Sequence, residues 1–348
     1  MVKDLATHVK PLGVEMDVAH VATAHRELRL DHVEALRVWR VPLRGTRLVG
    51  AAPSLWKLAK DYDLLHVHDP HLLALTANVR WGCAKVPAVL STHGGFRHTR
   101  SFTLMKYLHE RLLLRFAVRR YRRVLASSVA DLDYFRRYCE HLFLCNNGVD
   151  IGKFARVGIW ENKNLLKWIY WGRLSHNKRI DKLIECVAMA REMGYPIDLL
   201  IVGSDFDGLL DALRSKVAEL KLSTAVKFAP HLDDESLLRE LETRGIFVTA
   251  STHEGFGLSV VEAMAAGLIV ICRDMVPLNT FVEGDKSGFF LQFDGGVRDK
   301  KVVAAIRELS EIDARDMSIR ARQTVQPYNW PAAAERFVGH YRSVLSCL

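Results

Sequence analysis

Residues 247–267 read FVTASTHEGFGLSVVEAMAAG. An apolar run, Phe247 to Ala250, meets a Gly-Phe-Gly turn and then an apolar stretch at helical spacing, the pattern of a strand feeding a short helix. Glu254 stands at the mouth of that turn and Glu262 on the helix's second turn, so two carboxylates can meet one ligand at different points. Ionised carboxylates only accept hydrogen bonds, and sugar hydroxyls are donors. The N–H groups of Gly257, Leu258 and Ser259 fall at the helix start, where orphan donors and the helix dipole favour a phosphate. The segment suits a sugar joined to a phosphate. The same letters also suit a helix start in any layered α/β fold.

Outward from this stretch, the second half alternates strand and helix. LLKWIYWGRL opens it at Leu165, and a helix with Ile180, Leu183, Ile184, Val187 and Ala188 follows until Gly194. The strand IDLLIVGS, a helix from about Asp207 to Lys221, the strand VKFAP, a helix after Asp233, the strand IFVTA and, past the Glu262 helix, LIVIC complete it. The first half repeats the scheme from Met16 with VAHVAT, LRVWRV, DLLHVH, PAVLSTHG, RVLASS and HLFLCNNG, its strongest helix falling after Ser101. Asp150 to Glu161 reads as a linker. The tail from Val303 reads as helices broken at Pro327 and Pro331. Such alternation predicts two mainly parallel sheets, each covered on both faces, with ligands beyond the carboxyl ends of the strands.

Arg173 and Lys178 fall on one strand-to-helix loop, at the edge where the Glu254 turn emerges. Two cations there suit a diphosphate leaving group, because they neutralise the charge that grows on it; taken alone they also read as surface charges. His93 follows the strand AVLST and precedes Gly94-Gly95, where missing side chains let a ligand approach the backbone. Packing or capping suits His66, His68 and His71 better than catalysis, although Asp69 and His68 could also touch an acceptor, and Asp205-Phe206-Asp207 could cap a helix.

EGFGLSVVEAMAAG at Glu254–Gly267, with GRLSHNKRIDKLI at Gly172–Ile184, resembles the retaining glycosyltransferases of family 4, and STHGGFRHT resembles the exopolysaccharide mannosyltransferases among them. The resemblance implies a GT-B fold: an acceptor-side Rossmann-like domain over 1–155, a sugar-nucleotide-binding one over 156–327, a cleft between them, and 328–348 crossing back onto the first. The family's initial strand and Gly-Gly loop are expected to be missing, since the sequence opens in a helix-like segment, Val2 to Lys10. The resemblance assigns Glu254, with Gly255, Phe256, Gly257 and Leu258, to the donor sugar and its phosphate. It assigns Glu262 to the nucleotide ribose, Arg173 and Lys178 to the diphosphate, and His93 to a sugar hydroxyl. It implies mannose transfer from GDP-mannose, with retention, to a polyprenyl-diphosphate-linked oligosaccharide, and no metal or other cofactor. A UDP-sugar donor with another acceptor, or a non-catalytic sugar-nucleotide-binding protein, stays open.

Composition narrows the alternatives. With 348 residues, 49% hydrophobic and 26% charged, the chain is globular and long enough for two domains. It holds no apolar run of about 18 residues, the length that spans a bilayer, and no signal-peptide pattern opens it. Six cysteines without paired spacing read as reduced thiols of the cytoplasm. A net charge of +9 implies an anionic partner. Much of it lies in 106–124, KYLHERLLLRFAVRRYRRV, either a basic amphipathic helix at an anionic membrane surface or a solvated helix face. The expected location is the cytoplasm, peripheral on the inner face of the plasma membrane. No zinc-finger, zipper or aromatic-platform pattern marks a nucleic-acid binder, no G-x-S-x-G a hydrolase, and no G-x-G-x-x-G after an opening strand a dehydrogenase. Carboxylates eight residues apart across a turn and helix do not evidently flank a sugar ring as a glycosidase requires.

Overall fold

The structure, a computed structural model, describes residues 1–46, 50–68, 75, 77–93, 114–157 and 160–347. The helix expected after Ser101, Asp69, His71, the Gly94-Gly95 loop and residues 106–113 of the basic segment lie outside these. The chain forms two compact units: Met1–Gly148 with Trp330–Leu348, and Val149–Asn329.

The first unit carries β1 (Val18–Ala22), β2 (Arg29–Val33), β3 (Leu36–Pro42), a small hairpin of β4 (Arg44–Gly45) and β5 (Gly50–Ala51), then β6 (Leu65–His68), β7 (Ala88–Ser91), β8 (Arg123–Ala126) and β9 (Leu142–Leu144). Strands β6 to β9 form a parallel sheet in sequence order, while β1 pairs parallel and β2 antiparallel with β3 in a separate sheet. A single parallel sheet was the expectation. Among the described residues β1 pairs only with β3 and β6 only with β7, which divides the strands in two. The initial strand is absent from the described elements, and the helix Val2–Val9 comes first. The antiparallel β2 was not expected: it turns into β3 through Glu34, whose φ is 55°.

Leu5 and Val9 of the first helix bury against the helix Trp330–Leu345, through Trp330, Ala333, Phe337, Val338 and Tyr341, with Val89 and Leu125 of the sheet in the same core. The fit at Gly148 is close: a Cβ there would meet the Trp330 indole at 2.3 Å. Pro331 does not break this helix as expected. It lies in the first turn, where a missing N–H costs nothing, and Pro327 alone falls in a break, the 3-10 turn Gln326–Tyr328.

The second unit is a six-stranded parallel sheet of β10 (Asn164–Trp171), β11 (Asp198–Val202), β12 (Val226–Ala229), β13 (Arg244–Val248), β14 (Ile269–Cys272) and β15 (Gly288–Phe290), in the order β12-β11-β10-β13-β14-β15. β13 and β14 are wholly buried and β11 nearly so, as inner parallel strands covered on both faces must be, while the edge strand β12 buries only Val226. One apolar core lies on each side. The expected linker Asp150 to Glu161 is part of this fold. Asp150 caps a short helix, Ile151–Ala155, by accepting from the Lys153 N–H at 3.0 Å. Ile151, Phe154 and Val157, three apart, drive their side chains into the core. Four cysteines, Cys83, Cys145, Cys186 and Cys272, are buried, and all six are free thiols.

Phe337→Ala should cost about 3–5 kcal/mol, the usual result of emptying a packed aromatic site. A thermal melt of the variant within a degree or two of the parent would contradict the packing of the Trp330–Leu345 helix.

Candidate active site

The strand order reverses at β10: the chain moves outward through β11 and β12, then returns to the other side of β10 as β13. Loops leaving β10 and β13 therefore diverge beyond the carboxyl ends of their strands, where open α/β sheets bind ligands. Arg173 and Lys178 are on the first loop and Glu254 on the second.

Short-range bonds bring these loops together. At Gly203, just past β11, φ is +154° and a Cβ would stand 1.8 Å from the Gly172 carbonyl oxygen, so only glycine allows the β10 and β11 loops to meet so closely. Leu174 N–H then donates to Ser204 O at 2.9 Å, and Phe206 N–H to Leu174 O at 3.1 Å. On the other side Asn177 acts as a staple. Its carbonyl accepts from Thr252 N–H at 2.8 Å, and its amide donates to His253 O at 3.0 Å. Asn177 was not singled out from the sequence, where one Asn in a loop carries no distinguishing mark.

The staple sets Lys178 Nζ 2.6 Å from Glu254 Oε1, with the two side chains 13% and 9% exposed. A pair this dry is held by direct contact rather than by water. Arg173 is treated differently. Its guanidinium lies over the Phe206 ring, 4.7 Å from the centroid, and among the described residues it has no carboxylate within ion-pair distance. The Tyr170 hydroxyl donates to the Arg173 carbonyl at 3.0 Å. Burial raises that phenol well above its usual range, Glu254 adding to the rise and Arg173 opposing it.

The turn between the glutamates has the expected form. Gly257 takes φ +92° ahead of the helix Leu258–Ala265, and a Cβ on it would strike the Leu278 side chain at 2.7 Å. The Gly257 carbonyl accepts from Val260 and Val261 N–H, which leaves the Leu258 and Ser259 N–H groups without an acceptor among the described residues. The Phe256 side chain is buried edge-on against Phe281 and Tyr328, so Phe256 and Gly255 offer a ligand backbone only. Glu262 lies apart from the Lys178–Glu254 pair: its Oε2 accepts from the Trp171 indole N–H at 2.9 Å. Burial raises the Glu262 carboxyl above its ordinary range, and the Trp171 bond opposes the rise.

In the first unit, His93 follows β7 and bonds through Nε2 to His68 Nδ1 at 2.9 Å, the two rings stacked within 5° of parallel. His66 is bonded on both nitrogens, to Ser91 Oγ and to the Tyr341 hydroxyl, each at 2.7 Å. Burial, with the neighbouring histidines, lowers His66 well below the ordinary range and His68 to about 3, so both are neutral imidazoles in neutral water. His66 is the packing residue anticipated, whereas His68 is tied directly to His93. Asp205 accepts from the Leu209 and Leu210 N–H groups and is the helix cap anticipated. Among the described residues no group of three or more His, Cys, Asp or Glu side chains is placed to hold a metal, and no helix is long and apolar enough to cross a membrane.

Two parallel-sheet units, with cations and carboxylates at the switch point of the second, define a GT-B-fold glycosyltransferase that uses a nucleotide-sugar donor. Residues 1–153 match the family model "Glycosyltransferase Family 4" and residues 154–324 match "Glycosyl transferases group 1". The chain is 30% identical to a GDP-mannose:cellobiosyl-diphosphopolyprenol alpha-mannosyltransferase of Xanthomonas oryzae pv. oryzae, over 96% of this chain and 93% of that protein. It is 28% identical to the protein of the same name from Komagataeibacter xylinus, over 96% and 86%. Sucrose-phosphate synthase from Thermosynechococcus elongatus shares the fold with a TM-score of 0.76 at 20% identity, over 100% of this chain and 93% of that one. The chain belongs to the family 4, group 1 glycosyltransferases.

A carboxyl whose folded pKa is raised contributes stability that is complete below its unfolded value of about 4.3 and is lost as pH rises through the folded value. Glu262→Gln keeps an acceptor for Trp171 and removes the titration. The variant should therefore gain on the parent in melting temperature as pH rises above about 4.3, the unfolded value. A pH-independent difference would show that ionising Glu262 costs nothing.

Proposed function

We propose that the enzyme transfers α-mannose, with retention, from GDP-mannose to a polyprenyl-diphosphate-linked oligosaccharide in exopolysaccharide synthesis. The observation that carries this is the Lys178–Glu254 contact at the switch point, with Arg173 earlier on the loop that carries Lys178. The relatives' names supply the donor and acceptor class. In this reading Arg173 and Lys178 hold the diphosphate, Leu258 and Ser259 N–H groups add donors to it, and Glu262 accepts from the ribose. Glu254 accepts from the mannose hydroxyls, and His93 contacts a hydroxyl of the same sugar. The bond from the anomeric carbon to the phosphate oxygen breaks, GDP leaves with the electron pair, and the acceptor hydroxyl attacks from the face being vacated. Its proton passes to the departing phosphate. Positive charge fixed near that oxygen stabilises the leaving group, so this scheme needs no metal. Acting on a lipid-borne acceptor, the protein works at the cytoplasmic face of the plasma membrane. We assign the basic segment 106–124 to its anionic surface through its exposed Phe116 and Arg119. The helix expected to run through it ends at Val118, because Arg120 turns inward to the Cys83, Ala84 and Val86 carbonyls and Arg123 enters β8.

The test combines GDP-mannose or UDP-glucose with a cellobiosyl-diphosphoprenol, and NMR assignment of the product anomer. An α-mannoside formed from GDP-mannose alone is expected. Transfer from UDP-glucose alone, or a β-product, would overturn the reading. Arg173→Ala should lower kcat by about 100-fold, the scale of removing one charge-stabilising donor, while weakening GDP-mannose binding much less. Equal effects on both would remove Arg173 from the chemistry. Lys178→Ala is a poorer probe, because stranding the nearly buried Glu254 costs about 3–5 kcal/mol in stability.

A further inference from the structure

The loop after β11 reads Ser204-Asp205-Phe206-Asp207-Gly208, and Phe206 is 62% exposed. Arg173 has two carboxylates within the same loop to choose from, yet it meets the ring between them. Both acids are engaged with backbone donors. Asp205 accepts from Leu209 and Leu210 N–H at 2.7 and 3.2 Å, and Asp207 Oδ2 accepts from His176 N–H at 2.8 Å. The main chain under the ring is anchored beside Arg173, since Phe206 N–H donates to the carbonyl of Leu174, the residue after Arg173. Neighbouring cations differ: Lys178 is paired with Glu254, and Arg179 is bidentate to Asp181 at 3.0 and 2.8 Å.

We infer that Phe206 is a positioning residue, whose ring holds the Arg173 guanidinium in place without neutralising it and so leaves its full charge to a diphosphate. A carboxylate at this position would fix the arginine as firmly but would compete with the anionic ligand for it. An aromatic face attracts a cation through its quadrupole and carries no net charge, so the cation is oriented and remains available. The arrangement reduces the rotamer entropy lost on binding, because a long flexible side chain already rests on a ring whose backbone is anchored. The inference rests on the donor-site reading above, and the experiment separates the two.

The test is a double-mutant cycle on the full-length chain. Phe206→Ala, Arg173→Ala and the double variant are compared for GDP affinity by calorimetry, for kcat and KM with GDP-mannose, and for melting temperature. Phe206→Ala should lower kcat/KM by about five-fold, the scale of one cation–π contact, with no further loss when Arg173 is already alanine. Phe206→Trp and Phe206→Tyr should retain activity. Phe206→Glu should lose more than Phe206→Ala, because it supplies the competing carboxylate. A Phe206→Ala effect of the same size in both backgrounds, or failure of Trp and Tyr to preserve activity in folded protein, would overturn the inference while leaving the donor site standing. Arg173→Ala with unchanged GDP affinity and turnover would overturn the donor-site reading itself, and the inference with it.

Discussion

The Gly172 carbonyl and Gly203 touch where a side chain would otherwise stand, and the second unit's chemistry is organised around that contact. A Cβ at Gly203 would be 1.8 Å from the carbonyl oxygen. Pushing the two chain ends apart would break the Leu174–Ser204 and Phe206–Leu174 bonds, and with them the pairing of Arg173 with its ring. The loop that carries Arg173 also carries Asn177, so the same contact governs how Lys178 reaches Glu254. Such a constraint is backbone geometry first and electrostatics second.

Electrostatics then divides the labour between two glutamates on one strand-turn-helix segment. Glu254 meets a cation and is held by charge. Glu262 meets an indole N–H instead of a cation, and its partial burial opposes its ionisation. Neither environment could be exchanged for the other. A neutral donor beside Glu254 would leave Lys178 unmatched, and a cation beside Glu262 would lock a carboxylate whose second oxygen makes no hydrogen bond among the described residues.

The parts of this site that could be read from the sequence are those whose physics is local. Alternating strand and helix, the Gly257 turn and the helix beginning at Leu258 follow from periodicity and from glycine's freedom at positive φ. Asn177, Trp171 and Phe206 escaped notice because their roles depend on folded neighbours: the Asn177 amide reaches a carbonyl 76 residues away, and Trp171 a carboxylate 91 residues away. The misread linker failed for a related reason. Ile151, Phe154 and Val157 are too few to display a helical period, and only the core they enter makes the segment part of the fold. Pro331 reads as a breaker in the sequence, although a proline in a helix's first turn is as favourable there as it is disruptive further in.

The helix Trp330–Leu345 belongs to the first unit but follows the whole second unit in the chain, and its Tyr341 hydroxyl holds His66 beneath the His68–His93 pair. During synthesis, then, the residues made earliest cannot close their core until after the residues between have been made. Val149–Asn329 has every strand of its own sheet before that moment, so it can fold while its elder neighbour still waits with Leu5, Val9 and Val89 uncovered. Order of birth and order of completion are reversed, and the half-made chain presents a sticky apolar face for as long as the ribosome takes to cross the second unit.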